Sequence, residues 1–350
     1  MALSGWQYKK KLTIDHTKID ADLVDFPVLV KLTSSNFDFS KAKSDGSDIR
    51  FLASDDTTLL SYEREKHDST NQEAEYWVKV PSVSSASDTT FYIYYDNPVA
   101  DDGANSTDVW DSNYMAVYHL SESGTAIRKD STSNGNNGTP KGGVTGSEGK
   151  IDGANSFDGS NDYIQVANSS SLNASAITIS ALVKINAWSY GGIVAKGGGN
   201  SNGFLTRAHA SNHVFQWDTF DGSRDVMMSG NTQLNLGQFY HFVATYEPNL
   251  ASGNQKIFLN GTIDGSGTYT GGLTSTTQPV YIGKYVGPSG NNEYFNGLID
   301  EVRISNIARS AAWIKASYNS ENDTLLTYGA EENTVISVAT SNAILLGFAV

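Results

Sequence analysis

The sequence predicts an all-β protein: two antiparallel β-sandwich domains followed by an extended C-terminal strand. Three observations carry this prediction. Apolar and polar residues alternate with period two over much of the chain, as in KKLTID, AEYWVKV and DYIQV, the pattern of a strand with one buried face. Turn clusters such as KSDGSD, together with NG and DG pairs, separate the alternating runs and are the usual punctuation of hairpins. A single segment, SAAWIKASYNS, has helical spacing: Ser310 stands at its N-cap, and Ile314 and Tyr318 lie one turn apart.

A chain of 350 residues is long enough for two cores. Its 38 acidic residues against 24 basic ones leave a net charge of -14, which argues against nucleic acid and anionic membranes as partners. There is no cysteine, so stability must come from packing, hydrogen bonds or metals. Abundant Ser, Thr, Asn, Gly and Tyr with only 18% charged residues is the composition expected of an extracellular or cell-surface β protein. The opening MALSGWQYKK has no apolar signal region, so the expectation is that any secretion signal has been removed. No run reaches the roughly 18 apolar residues a membrane helix needs.

The elements follow in order. Residues 1–112 hold KKLTID, FPVLVKL, SDIRFLAS, LLSYEREK, AEYWVKV and TTFYIYYD, strands of an N-terminal sandwich. DNPVADDGANSTDVWDSN, dense in Asp, Asn and Gly, is the candidate linker. Residues 113–332 run from YMAVYHL through DYIQV, ITISALVKI, GGIVAKG, FLTRAH, HVFQWD, QFYHFVATYE, KIFLNGTID, PVYIGKY and LIDEVRIS to LLTYGAE. Residues 333–350 form a separate apolar strand.

Several spaced motifs of the second region, DSTSNGNNGT, FDGSNDYIQV, QFYHFVATYEPN with KIFLNGTIDGS, and FNGLIDEVRISNIARS, resemble in that order the landmarks of laminin G-like (concanavalin A-like) jelly rolls. The resemblance spans roughly residues 113–332 and implies a jelly-roll sandwich. The preceding region, with DFPVLVKLTSSNFDFSKAKSDGSDIRF and IYYDNP, resembles an uncharacterised β domain common in archaeal and bacterial surface proteins. That second resemblance implies architecture and no chemistry.

The motifs argue against catalysis. Some folds of the concanavalin A type are glucanases, which need two carboxylates facing one bond, about 5 to 9.5 Å apart. In LIDEVRI the two acids are adjacent, so regular pleating sends them to opposite faces. His209 and His213 have zinc-helix spacing, but the intervening ASN is a turn and no Glu follows the first His. His119 in AVYHL reads as a packed histidine. No thiol and no G-x-S-x-G elbow is present. DSTSNGNNGTPK opens like an EF-hand with Asp130, Asn134 and Gly135, then fails at Thr132 and Lys141.

Calcium is the metal the loops suit best. FDGSNDY offers Asp158, Asn161 and Asp162, and in the resembling jelly rolls such loops sometimes hold a structural calcium; the alternative is a turn fixed by side-chain to backbone bonds. Regular alternation in LIDEVRIS groups Asp300 with Leu298, Val302 and Ile304 on the core face. An unpaired carboxylate there is costly. Asp300 is therefore expected to accept backbone N–H bonds from a loop or to join Asp162 around calcium. For glycans, the aromatics in or beside loops are Trp188, Tyr190, Trp217, Tyr285 and Tyr294, with some of them expected in the core.

In the tail, Ile336, Val338, Ile344, Leu346, Phe348 and Val350 alternate with small residues. Such a strand must be covered: it returns to its own domain, begins a membrane stalk, or is donated to a groove of the next copy of the chain. Donation to the next copy is head-to-tail and makes filaments. The expectation is thus a non-enzymatic extracellular structural or adhesive surface protein that polymerises with itself, with a carbohydrate-binding module as the alternative.

Overall fold

The computed structural model describes residues 3–198, 202–221, 225–273, 275–287 and 289–334. The proposed assembly strand, from Ile336 to Val350, lies outside the described residues. Elsewhere the chain is all-β, with one α-helix, Ala311–Glu321, among the described residues. The helix is capped as the sequence predicts, Ser310 Oγ accepting the Trp313 amide at 3.2 Å.

The first sandwich stacks a three-stranded sheet on a five-stranded one. The three-stranded sheet runs in the order Leu23–Thr33, Glu73–Val83, Tyr62–Asp68; the five-stranded sheet runs Leu326–Asn333, Tyr8–Ile14, Thr89–Tyr95, Arg50–Ala53, Leu59–Leu60. Phe26, Val28, Val30, Phe51, Tyr76, Phe91 and Ile93 fill the space between. One edge of this sandwich comes from the far end of the chain. LLTYGAE, which the sequence reading assigned to the jelly roll, pairs instead with Tyr8–Ile14, opposite the start of the protein. The region 113–332 is therefore not a closed unit, because its last strand completes the first sandwich.

The second sandwich is a concanavalin A-like jelly roll of an eight-stranded and a seven-stranded antiparallel sheet around Phe157, Ile164, Val194, Phe215, Trp217, Phe242 and Ile282. Its eight-stranded sheet is buried on both faces along its central strands. Along Ile177–Ile185, Ile179, Ala181 and Val183 point into the jelly-roll core whereas Leu182 joins the core of the first sandwich. Tyr114 and Val117 do the same on the strand Tyr114–Tyr118. Burial on two faces explains why these strands read as nearly continuous apolar runs.

The candidate linker is packed rather than free. Val109 and Trp110 are buried in the first core, and Asp111 holds Arg309 through two 2.8 Å contacts. Arg309 in turn lies over Tyr114 and Trp313.

Candidate functional site

Two places gather polar and aromatic side chains. The first is on the jelly roll, where the loop before Gly192–Lys196 meets the turn joining Asn202–Ala208 to Phe215–Asp221. Tyr190 is 43% exposed and its hydroxyl is 2.7 Å from Ser211 Oγ. His209 meets its ring edge-on, and the Arg207 guanidinium lies 5.9 Å from the ring centroid. Beside it Trp188 stacks on His213, with ring centroids 4.0 Å apart and planes 11° from parallel. Gly191 lets this loop lie against the Tyr294–Phe295 backbone: a Cβ there would stand 2.0 Å from the Tyr294 carbonyl carbon. Next along the strip, Arg207 and Glu293 approach to 4.0 Å, and Tyr294 joins Tyr163 and Tyr281 around the Lys284 ammonium.

Trp188, Tyr190 and Tyr294 thus fall on one partly exposed strip. Two other predicted platforms do not. Trp217 is fully buried in the jelly-roll core. Tyr285 packs with Ala195, Leu205 and Phe220 in a small separate cluster. Both sit on strands, where period two sends the ring inward, although the sequence placed them beside turns. The two histidines flank a turn, as read: His209 Nδ1 accepts the Asn212 amide at 3.2 Å. Burial, with Arg207 and His213 nearby, lowers the His209 pKa.

The residues expected around calcium are not assembled into one site. Asp158 Oδ1 accepts the amides of Ser160 and Asn161, the turn reading of that loop, and Asp162 accepts the Asp158 amide. Asp300 is engaged elsewhere. Its Oδ2 accepts the amides of Lys150 at 2.8 Å and Ile151 at 3.2 Å, the loop bonds that its burial demands. Among the described residues, Asp158, Asp162 and Asp300 do not converge as a three-ligand group.

The face assigned to Asp300 also needs correction. Against Ile177–Ile185 the register shifts between Asp300 and Arg303, and Glu301 has φ 50°. This is a β-bulge, which inserts one residue and reverses the phase of alternation beyond it. Ile299, Val302 and Ile304 face the jelly-roll core. Asp300 stands opposite Leu182 and faces the first sandwich. Glu301 is turned to the same side, so the two adjacent acids are neighbours after all. Both are buried under the first sandwich, out of reach of a polysaccharide.

The second place is the seam this creates. Tyr62–Asp68 has its own bulge between Arg64 and Lys66, and Glu63 and Glu65, two apart, both face the seam. His119 stands between the two sandwiches. Its Nδ1 is 2.6 Å from Glu301 Oε1 and 3.2 Å from Glu65 Oε2, and its Nε2 is 3.2 Å from Glu63 Oε2. Trp77 Nε1 donates to Glu65 at 2.6 Å and Trp110 Nε1 to Glu63 at 2.9 Å. Arg303 lies over Trp77 and ties Glu301 to Glu321. Glu63, Glu65 and His119 open onto a cleft of about 440 Å³ whose walls include Ser121, Lys129 and Ser131.

Electrostatics in the seam are strongly perturbed. Burial alone lowers the His119 pKa, but Glu301, Glu65 and Glu63 outweigh it and hold the ring well above its ordinary value. Burial pushes Glu65 well up, against the pull of His119. Burial likewise raises Asp300, helped by Glu301, and lifts Glu321 to about 7. His241 near Glu321 is lowered to about 3 by burial and Arg303. Sequence reading kept His119 as a packed residue and missed its three carboxylates. The available signal was Glu63 and Glu65 two apart on one strand; the contribution of Glu301 depends on a bulge that alternation cannot reveal.

Residues 158–315 match the model of the concanavalin A-like lectin/glucanases superfamily, and residues 45–125 match a domain of unknown function (DUF2341). No curated protein matches the chain in sequence. Among solved structures, it is similar to domain 4 of AbnA, a GH43 extracellular arabinanase from Geobacillus stearothermophilus, in complex with arabinotriose. That similarity has 19% identity and a TM-score of 0.48, over 58% of this chain and 97% of that one. The binding domain of Paraclostridial Mosquitocidal Protein 1 aligns at 16% identity and TM-score 0.47, over 59% of this chain. Botulinum neurotoxin type C, whose cell entry depends on interaction with two ganglioside molecules, aligns at 14% identity and TM-score 0.45, over 60% of this chain. The chain spans about half the length of these last two, 52% and 51%.

Proposed function

We propose that this chain, which carries a concanavalin A-like domain behind a domain of unknown function, is a non-catalytic, extracellular carbohydrate-binding protein of a cell surface. The observation that supports this reading is the exposed Tyr190, buttressed by the Trp188–His213 stack and flanked by Ser211, Arg207 and Glu293. A pyranose ring stacks on an aromatic face while hydroxyls and charged side chains take its hydroxyl groups. The acidic chain suits a neutral glycan better than a polyanionic one.

The experiment is affinity electrophoresis and glycan-array binding of the whole chain on neutral polysaccharides, repeated with Tyr190→Ala. Retardation by at least one glycan that disappears in the variant, with melting unchanged, supports the reading. Absence of binding, or binding indifferent to Tyr190, refutes it. Self-polymerisation rests on residues outside the described ones, and nothing in the two sandwiches favours it over glycan binding.

A further inference from the structure

We propose that Glu65, His119 and Glu301, with Glu63 alongside, form a binding site for one divalent transition-metal cation of the zinc or manganese type at the seam between the two sandwiches. One imidazole nitrogen and two carboxylate oxygens lie within 4.8 Å of one another. Tetrahedral bonds of about 2.1 Å would set neighbouring ligands about 3.4 Å apart, so the observed 2.6 and 3.2 Å contacts need only sub-ångström spreading.

Acidic side chains around a histidine are often no more than an ion-pair network. Two features separate this one. Nδ1 of His119 faces both Glu65 and Glu301, and a single N–H proton cannot serve both in line, whereas a cation can. A buried polar atom is also left without a partner: Glu65 Oε1, on a side chain only 2% exposed. Leaving such an atom unpaired is costly in a folded protein, and Glu65 lies on the cleft.

The surroundings are those of a ligand shell. Trp77 orients Glu65, Trp110 and Ser131 orient Glu63, and Arg303 orients Glu301. The mixed nitrogen and oxygen set favours a transition metal over calcium, which takes oxygen ligands. Glu65 belongs to the first sandwich and Glu301 to the second, so the bound cation would also clamp the two together. The cleft supplies the entry path.

The test is isothermal titration of the EDTA-treated, full chain with zinc chloride. Wild type is expected to bind one equivalent and to melt at a higher temperature with zinc. Glu65→Gln and His119→Gln are expected to bind about 10-fold more weakly or worse. The exposed group Asp15, His16 and Asp88 is the competing cluster among the described residues, and His16→Gln is expected to bind as wild type. Should both buried variants fail to fold, cobalt absorption of the wild type decides: an intense band from four- or five-coordinate cobalt supports the seam, and a weak hexahydrate-like spectrum overturns it. No binding by wild type, loss of binding in His16→Gln, or undiminished binding in the folded seam variants also overturns it.

Discussion

Glu65 and Glu301 each occupy a β-bulge, on strands of different sandwiches, and their carboxylates meet at the same nitrogen of His119. Glu65 keeps the face of Glu63, two residues before it, whereas Glu301 would point into the jelly-roll core on a regularly pleated strand and reaches His119 only through its bulge. Around His119 the seam is therefore polar, framed by Trp77 and Trp110.

Asp300 should tolerate loss of its charge but not of its acceptor. Burial keeps the carboxyl protonated well above the ordinary range, and its Oδ2 serves the Lys150 and Ile151 amides. Asp300→Leu is expected to lower stability by about 1 to 3 kcal/mol in urea unfolding, and Asp300→Asn by clearly less. Equal losses in the two variants would count against this account.

The Arg309–Asp111 pair fastens the segment between the sandwiches to the turn before the helix. Removing Arg309 leaves the mostly buried Asp111 carboxylate without its countercharge, held only by the Asn113 amide. Arg309→Ala is expected to cost on the order of 3 kcal/mol, and Arg309→Lys to recover only part of it, because an ammonium cannot make the paired contacts of a guanidinium. Chemical unfolding of both variants checks this.

Lys196 is buried, with its ammonium on Leu172 O and Asn173 Oδ1 at 2.9 and 3.0 Å. Burial lowers its pKa to about 8. Between that value and the ordinary 10.5, the unfolded chain holds a proton that the folded chain has released, so this group makes stability rise with pH across the window. Below the folded value its cost is fully present. Compared with Lys196→Met, wild type should gain on the order of 2 kcal/mol between pH 7 and pH 10; an unchanged difference at the two pH values would refute it.

Aromatic substitutions should divide by position. Trp188→Ala and Tyr190→Ala are expected to weaken glycan retention with little change in melting. Trp217→Ala, in the jelly-roll core, should cost about 3 to 5 kcal/mol. Thermal melts and affinity gels on the same preparations separate the two outcomes.

A chain ending at Leu325 loses one of the two strand partners of Tyr8–Ile14, and with it the Tyr328 hydroxyl that bridges both backbone groups of Lys31. It should melt markedly lower than a chain ending at Thr334. Matching melts would mean that the strand contributes nothing to the first sandwich.

Much of the architecture was legible in the residue order. Period-two alternation, NG and DG turns and the Ser310 cap are local signals, set by which side of a strand or helix each residue must occupy, and they yielded the all-β class, the strand series and the lone helix. The motifs FDGSNDYIQV and LIDEVRIS carried the jelly-roll resemblance. Tyr190 could be read as an exposed loop aromatic because its loop is local too.

Tertiary structure decided the rest, because pairing and burial depend on partners far away in the chain. Alternation places LLTYGAE in a strand without saying that its neighbour is Tyr8–Ile14. It cannot report a bulge, since one inserted residue shifts the phase without altering composition, and so it put Asp300 on the wrong face. Nor can it show that His119 gathers Glu63, Glu65 and Glu301, carboxylates brought together only when one sandwich closes over the other.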